Sequence, residues 1–150
     1  MRVLLQRVRS ASVNIADKEF SKINQGLLLF VAFESNDELI DIEWSIKKIL
    51  QMRIFSDSND KMNLSIEQIS GDILIVSQFT LYASTKKGNR PSFIKSAPPD
   101  KALDLYNDFI KKFKSATQLG IQTGRFGADM KVSLINDGPV SILMDSRNKE

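Results

Sequence analysis

Ile73-Leu74-Ile75-Val76-Ser77-Gln78-Phe79-Thr80 starts as four aliphatic residues and turns polar without a break, and its reading decides the fold. An earlier apolar run, Leu27-Leu28-Leu29-Phe30-Val31-Ala32-Phe33, is short and lacks an alternating polar face, so it is expected to be a strand covered on both sides. Ile73 to Phe79 reads as the second strongly apolar strand. It passes directly into Thr80 and then Lys86-Lys87-Gly88-Asn89-Arg90, so its carboxyl end is where polar groups should become exposed.

Working outward, Arg2 to Val8 and Ala11 to Ile15 read as strands, Phe20 to Ile23 as a short third one, and Asn24-Gln25-Gly26 as a turn. Ser35 and Glu38 form a capping-box signature, after which Ile42, Ile46, Ile49 and Leu50 recur at helical spacing to about Gln51, with Trp44 flanking that face. Arg53 to Phe55 fits a short strand and Asp57-Ser58-Asn59-Asp60 a turn. Pro98-Pro99-Asp100 announces a second helix with an apolar stripe of Leu103, Tyr106, Phe109, Ile110 and Phe113. Ile121 to Gly124, Val132 to Asn136 and Val140 to Asp145 close the chain as strands. Two helices among roughly eight or nine strands make a mixed, sheet-dominated α/β domain. Strict βαβ alternation is missing, which argues against a doubly wound dinucleotide fold. No repeat or low-complexity linker interrupts the chain, so residues 1–150 are expected to form one domain, with 147–150 as a flexible tail.

At 150 residues the chain is long enough to bury a core without disulfides or metal. A hydrophobic share of 42% and a charged share of 26% are ordinary for a globular protein. No apolar run approaches the roughly 18 residues of a membrane span. Met1-Arg2 leads straight into strand sequence rather than an export signal, which makes the cytoplasm the expected compartment. Cysteine and histidine are both absent, which excludes thiolate nucleophiles, Ser-His-Asp triads and most catalytic zinc sites. No cofactor or metal is expected. The net charge of +3 and pI near 9.2 are compatible with a nucleic-acid partner without demanding one.

Ser77-Gln78-Phe79-Thr80-Leu81-Tyr82-Ala83, paired with Asn136-Asp137-Gly138-Pro139-Val140, resembles the D-aminoacyl-tRNA deacylases, the D-tyrosyl-tRNA deacylase family. The likeness extends through Met1 to Val8, Lys61-Met62-Asn63-Leu64-Ser65, Arg90-Pro91-Ser92-Phe93, Ala97-Pro98-Pro99 and Thr123 to Met130, in the family's order. It implies two sheets, β-barrel-like, with two helices packed on one side, assembled as a homodimer. It also implies hydrolysis of the ester joining a D-amino acid to the tRNA 3′ end, with glycine misplaced on the alanine tRNA as a further substrate. Membrane and DNA are not expected partners.

The resemblance assigns the residues as follows. Ser77, Gln78, Phe79 and Thr80 form the floor of the substrate pocket. A threonine hydroxyl needs an activating base, and neither motif supplies one apart from Asp137. Thr80 and Gln78 are therefore assigned to positioning, the Phe79–Thr80 backbone to oxyanion stabilisation, and activation of water to the substrate's own 2′-hydroxyl. Gly138 and Pro139 are expected to form a cis step that enters the partner subunit's pocket and blocks L side chains, braced by Arg7. Phe126 and Met130 match pocket-wall positions. Lys86, Lys87 and Arg90 are placed to meet tRNA phosphates.

Taken alone, Ser77 to Thr80 is an ordinary strand end, Asn136 to Pro139 a hairpin turn, and Phe126 and Met130 core residues. Asp137, where small or neutral residues are frequent in the family, either faces water or repels phosphate. Two rival functions stay open. One is a related editor that removes L-alanine, with a trans Gly-Pro step. The other is a tRNA 3′-end binder without turnover.

Overall fold

A computed structural model describes residues 1–149. In chain order it contains strands β1 (Arg2–Ile15), β2 (Lys18–Ile23) and β3 (Gly26–Ala32), helix α1 (Leu39–Gln51), and strands β4 (Phe55–Ser56), β5 (Met62–Leu64) and β6 (Asp72–Ser77). A single 3₁₀ turn (Phe79–Tyr82), helix α2 (Pro99–Ala116) and strands β7 (Ile121–Thr123) and β8 (Lys131–Asp145) complete it.

β3 and β6 pair in parallel from Gly26 opposite Asp72 to Val31 opposite Ser77, and β7 continues the parallel set beside β6. Successive side chains on a strand point to opposite faces. Leu27, Leu29, Val31, Ile73 and Ile75 pack beneath the two helices. Leu28, Leu74 and Val76 instead join Val8, Ala11, Val13 and Ile23 in a second buried cluster. Neither strand has a wet face, which is why both read as unbroken apolar runs.

β1 is the spine of this arrangement. It pairs antiparallel with β3 through Arg2–Val8 on one side, with β2 through Ala11–Ile15 further along, and with β8 along its other edge. The resulting six-stranded sheet curls into a nearly closed, barrel-like form, with β4 and β5 as a separate two-stranded sheet. Both helices contribute to the same core cluster, so they cover one side of the sheet. The expected mixed, sheet-dominated architecture is the observed one. The Tyr106 hydroxyl, buried in α2, donates to the Ile75 carbonyl at 3.0 Å and ties that helix to β6.

Several local expectations need correction. β1 is one strand rather than two, because the irregularity near Arg9 and Ser10 is absorbed by shifts in its register with β8. The first helix starts one turn later than Ser35 suggests: Glu38 is its N-cap, and the Asp41 carboxylate accepts the Glu38 N–H at 3.0 Å. The apolar strand stops at Ser77, so Phe79 belongs to the 3₁₀ turn. In α2 the buried stripe is Ala102, Leu105, Tyr106, Phe109 and Phe113, whereas Leu103 is exposed. Val132 to Asp145 is not a hairpin around Asn136 to Pro139, since both halves pair with the same neighbour β1 in one long strand.

At the chain end, Arg147 bridges Glu34, Asp37 and Asp41. The Lys149 ammonium lies 4.9 Å from the centre of the Trp44 ring. Glu150 lies outside the described residues. Among the described residues no helix is long and apolar enough to cross a membrane.

Candidate active site

A cavity of about 720 Å³ opens at the carboxyl ends of the parallel strands β3 and β6. This is where a parallel α/β sheet commonly presents its ligand site, because the backbone there leaves the ladder and its polar groups become available. Ser77, Gln78 and Phe79 form part of the floor beside Val31 and Ala32. One wall is the β7–β8 loop with Phe126 and Met130; the other is the approach to α2, including Phe93, Ser96 and Pro98.

The polar end of β6 is built by its own backbone. The Gln78 N–H makes a last bond across to the Val31 carbonyl at 2.7 Å, and the chain then tightens, with Leu81 N–H donating to Gln78 and Ala83 N–H to Thr80. Bonds three residues back leave the Phe79 and Thr80 N–H groups unused within the turn. Gln78 donates from its amide nitrogen to the Thr80 hydroxyl at 2.5 Å, so that hydroxyl keeps its own proton to donate. Thr80 lies half-buried behind Gln78 and is not on the cavity wall. Phe79 is 57% exposed, meets Phe93 edge-on at 5.1 Å, and accepts a 3.0 Å bond from the Ser96 hydroxyl at its carbonyl.

Among the described residues, Asp129 is the single ionisable side chain on the cavity wall, and it is exposed and paired with Lys131 at 3.0 Å. The Tyr106 phenol beneath the cavity is pushed well above its usual range by burial, which keeps it a hydrogen-bond donor. The cavity therefore offers backbone amides, two serines, one glutamine and apolar walls.

Gly138 and Pro139 sit elsewhere. Gln6 pairs with Ser141 and Val8 with Asn136, so Arg7 alone lies opposite the segment from Asp137 to Val140, which bulges out of β8. Asn136 closes the bulge, accepting from Val140 N–H at 2.8 Å and donating to the Val140 carbonyl at 3.1 Å. Arg7, 8% exposed, donates to the Asp137 carbonyl at 2.8 Å and to the Ile54 carbonyl at 2.5 Å. The Asp137 carboxylate is matched by Arg9 at 3.2 Å, which offsets the charge it would otherwise show to phosphate. At Gly138 φ is +141°, and an added Cβ would lie 2.8 Å from Val140 Cγ2 and 3.0 Å from Arg7 Nη2. Only glycine suits that position. The Gly138–Pro139 peptide is cis, and both residues are exposed and away from their own chain's cavity wall.

Of the residues singled out from sequence, Ser77, Gln78, Phe79, Phe126 and Met130 thus share one cavity, with Thr80 just behind it. Arg7, Gly138 and Pro139 form a second cluster. Lys86, Lys87 and Arg90 lie on an exposed loop closed by the Ser84–Ser92 pairing. The walls from Phe93 to Ala102 and the end of β3 were missed. Ala97-Pro98-Pro99 carried a signal, but it reads equally as a helix start, which it also is.

The fold and cavity define a class: small, curled-sheet α/β domains with a ligand cavity at a parallel strand end and no histidine or cysteine to serve it. The family model described as D-Tyr-tRNA(Tyr) deacylase matches residues 4–145, and the chain belongs to that family. Among its relatives, the "D-aminoacyl-tRNA deacylase" of Flavobacterium johnsoniae is 55% identical over 150 residues, covering 100% of both chains. The protein of the same name from Cytophaga hutchinsonii is also 55% identical, again over 100% of both. The solved "c-Myc DNA Unwinding Element Binding Protein" superposes with TM-score 0.92 at 35% identity, covering 97% of this chain and 98% of the other. A probable eukaryotic D-amino acid tRNA deacylase superposes with TM-score 0.81 at 20% identity, covering 95% and 97% respectively, which shows shared fold.

Proposed function

We propose that this protein hydrolyses D-aminoacyl-tRNA to free D-amino acid and tRNA, in the cytoplasm where charged tRNA is used. The observation that carries this reading is the end-to-end match at 55% identity to proteins named for that activity. The cavity is consistent with it: about 720 Å³ accommodates a terminal nucleoside and its ester.

In this scheme water attacks the ester carbonyl, the C–O bond to the terminal ribose breaks, and the ribose oxygen takes up a proton as it leaves. The role of bonding the developing oxyanion is assigned to the Phe79 and Thr80 N–H groups; that both are unused within their turn supports this, although the Thr80 side chain lies behind the cavity wall. Among the described residues the one ionisable side chain on the cavity wall, Asp129, is engaged by Lys131, so the role of taking the proton from water is assigned to the vicinal 2′-hydroxyl of the substrate, which passes its own proton to the leaving ribose oxygen. Gln78 and Thr80, bonded to each other, hold the floor in shape. Chirality is read by exclusion. Gly138 and Pro139 protrude from β8 of one subunit into the cavity of its partner, where an L side chain would have to lie. Glycine has no side chain to exclude, so glycyl-tRNA is turned over too.

A homodimer is needed for that filter, because Gly138 and Pro139 stand off their own cavity. β8 suits the assembly: among the described residues its outer edge has no strand partner, and Leu134, Ile135 and Leu143 are exposed along it. Lys86, Lys87 and Arg90 receive backbone phosphates of the tRNA 3′ strand. Incubation with D-Tyr-tRNA and L-Tyr-tRNA tests the reading: the D ester is released and the L ester is spared, and equal turnover of both, or of neither, refutes it.

A further inference from the structure

The segment from Ser84 to Ser96 carries four cations, Lys86, Lys87, Arg90 and Lys95, and no acidic residue. It folds in two steps. Ser84 and Ser92 exchange backbone bonds of 2.8 and 3.0 Å, closing the loop that holds the first three cations. The next four residues make a tight turn in which the Ser96 N–H donates to the Phe93 carbonyl at 2.9 Å. Both corners of that turn belong to the cavity, since Phe93 and Ser96 line it.

The two central residues of the turn do not line the cavity. Ile94 is 89% exposed, the most open large apolar side chain among the described residues, and Lys95 beside it is exposed as well. Turn tips ordinarily carry polar residues or glycine. A branched aliphatic side chain that buries almost nothing contributes little to folding here. It does provide an apolar face one residue beyond the cavity corner, with an ammonium adjacent. The other cavity loop presents the Asp129–Lys131 pair at the rim instead, which adds no net charge to draw a phosphate.

We propose that the Phe93–Ser96 turn seats the nucleotide preceding the terminal one in the tRNA 3′ strand, with Ile94 against its base and Lys95 at its phosphate. The inference rests on the cavity being the seat of the terminal aminoacyl nucleoside. A single strand ending in the cavity must leave across its rim, and this turn combines the base-facing surface and the positive charge that single-stranded RNA binding uses. The residues read only the polymer, not the ester.

Kinetics on two substrates, D-Tyr-tRNA and D-tyrosyl-adenosine, test this. Ile94→Ala should lower kcat/KM on the tRNA about fivefold, through KM, by removing the apolar surface the base would cover. Lys95→Ala should flatten the slope of log KM against log salt by about 0.7, the share of one phosphate on a single strand. Both variants should hydrolyse D-tyrosyl-adenosine like the unsubstituted protein. Equal losses on both substrates, or an altered mass in sedimentation, assign the turn to folding or self-association and overturn the proposal. Unchanged kinetics on both substrates overturn it as well. An unsubstituted protein inactive on both esters removes the reading of the cavity itself, and this inference with it.

Discussion

Replacing Arg7 by alanine is the sharpest probe of how β8 is held. The guanidinium spans two backbone carbonyls, Ile54 at 2.5 Å and Asp137 at 2.8 Å, and is 8% exposed. Hydrogen bonds from a charged donor contribute about 1.5–3 kcal/mol each, so two give about 3–6 kcal/mol. The lower end applies, because the Asp137 bulge can regain water and the Asp137 carboxylate keeps Arg9 as a partner. We take about 3 kcal/mol. For a domain of this size each kcal/mol moves the midpoint by about 2–4 °C, so the melting temperature should fall by about 6–12 °C. Arg7→Lys should recover less than half of the loss, since one ammonium cannot reproduce a planar fork across both carbonyls. Calorimetry at fixed chain concentration measures the shift, which matters if the protein self-associates. An Arg7→Ala midpoint within about 2 °C of the original would refute the bracing argument.

Tyr106→Phe removes the 3.0 Å bond to Ile75 and leaves that carbonyl without its donor, at a cost of about 1–2 kcal/mol in urea denaturation. An unchanged midpoint would mean that water replaces the hydroxyl. Gly138→Ala places a Cβ 2.8 Å from Val140 Cγ2 at φ +141°, and is expected to destabilise by about 1–3 kcal/mol and to raise turnover of L-Tyr-tRNA relative to D-Tyr-tRNA. Unaltered selectivity in a folded variant would detach the bulge from chiral discrimination.

Stability should also fall in acid. Burial works to raise the carboxyls of Asp41 and Asp145, but it is outweighed, at Asp41 by the Glu38 N–H, the Ser146 hydroxyl and nearby positive charge, and at Asp145 by Arg2 and the backbone of Arg147 and Asn148. Both therefore ionise below the ordinary value of 3.8 when folded. Their contribution is complete above the unfolded value and disappears as pH drops through the folded ones. Denaturation midpoints should be level near neutrality and decline below about pH 4, less steeply in Asp145→Asn. A decline beginning near pH 6 would point to other groups.

Much of the fold was legible because β3 and β6 are buried on both faces, leaving unbroken apolar runs that allow few other readings. α1 and α2 were legible from spacing, although the start of α1 was not. Ser35 and Glu38 have the right types three residues apart, yet the chain still turns there, and the working cap uses Asp41. β8 is hard to read from sequence for a related reason. Asn-Asp-Gly-Pro is a sound hairpin signal in isolation, and only pairing with β1 across the bulge, a contact remote in sequence, keeps both halves in one strand. The cavity floor was visible as the polar end of an apolar strand. Its walls were not, because Phe93, Ser96 and Ala102 arrive there through the path of the loop into α2 rather than through a local pattern. The family resemblance supplied the roles for which periodicity has no signal.

Anchoring β3 and β6 from both sides separates what must be constant from what is free to change. The two strand ends beneath the cavity are locked between a helical layer and a barrel interior, so they cannot shift without disturbing both. The 93–98 and 126–130 segments merely lean over that base. Descendants of this scaffold can thus acquire new ligand preferences by remodelling the rim, while the strand ends that form the cavity floor stay where they are.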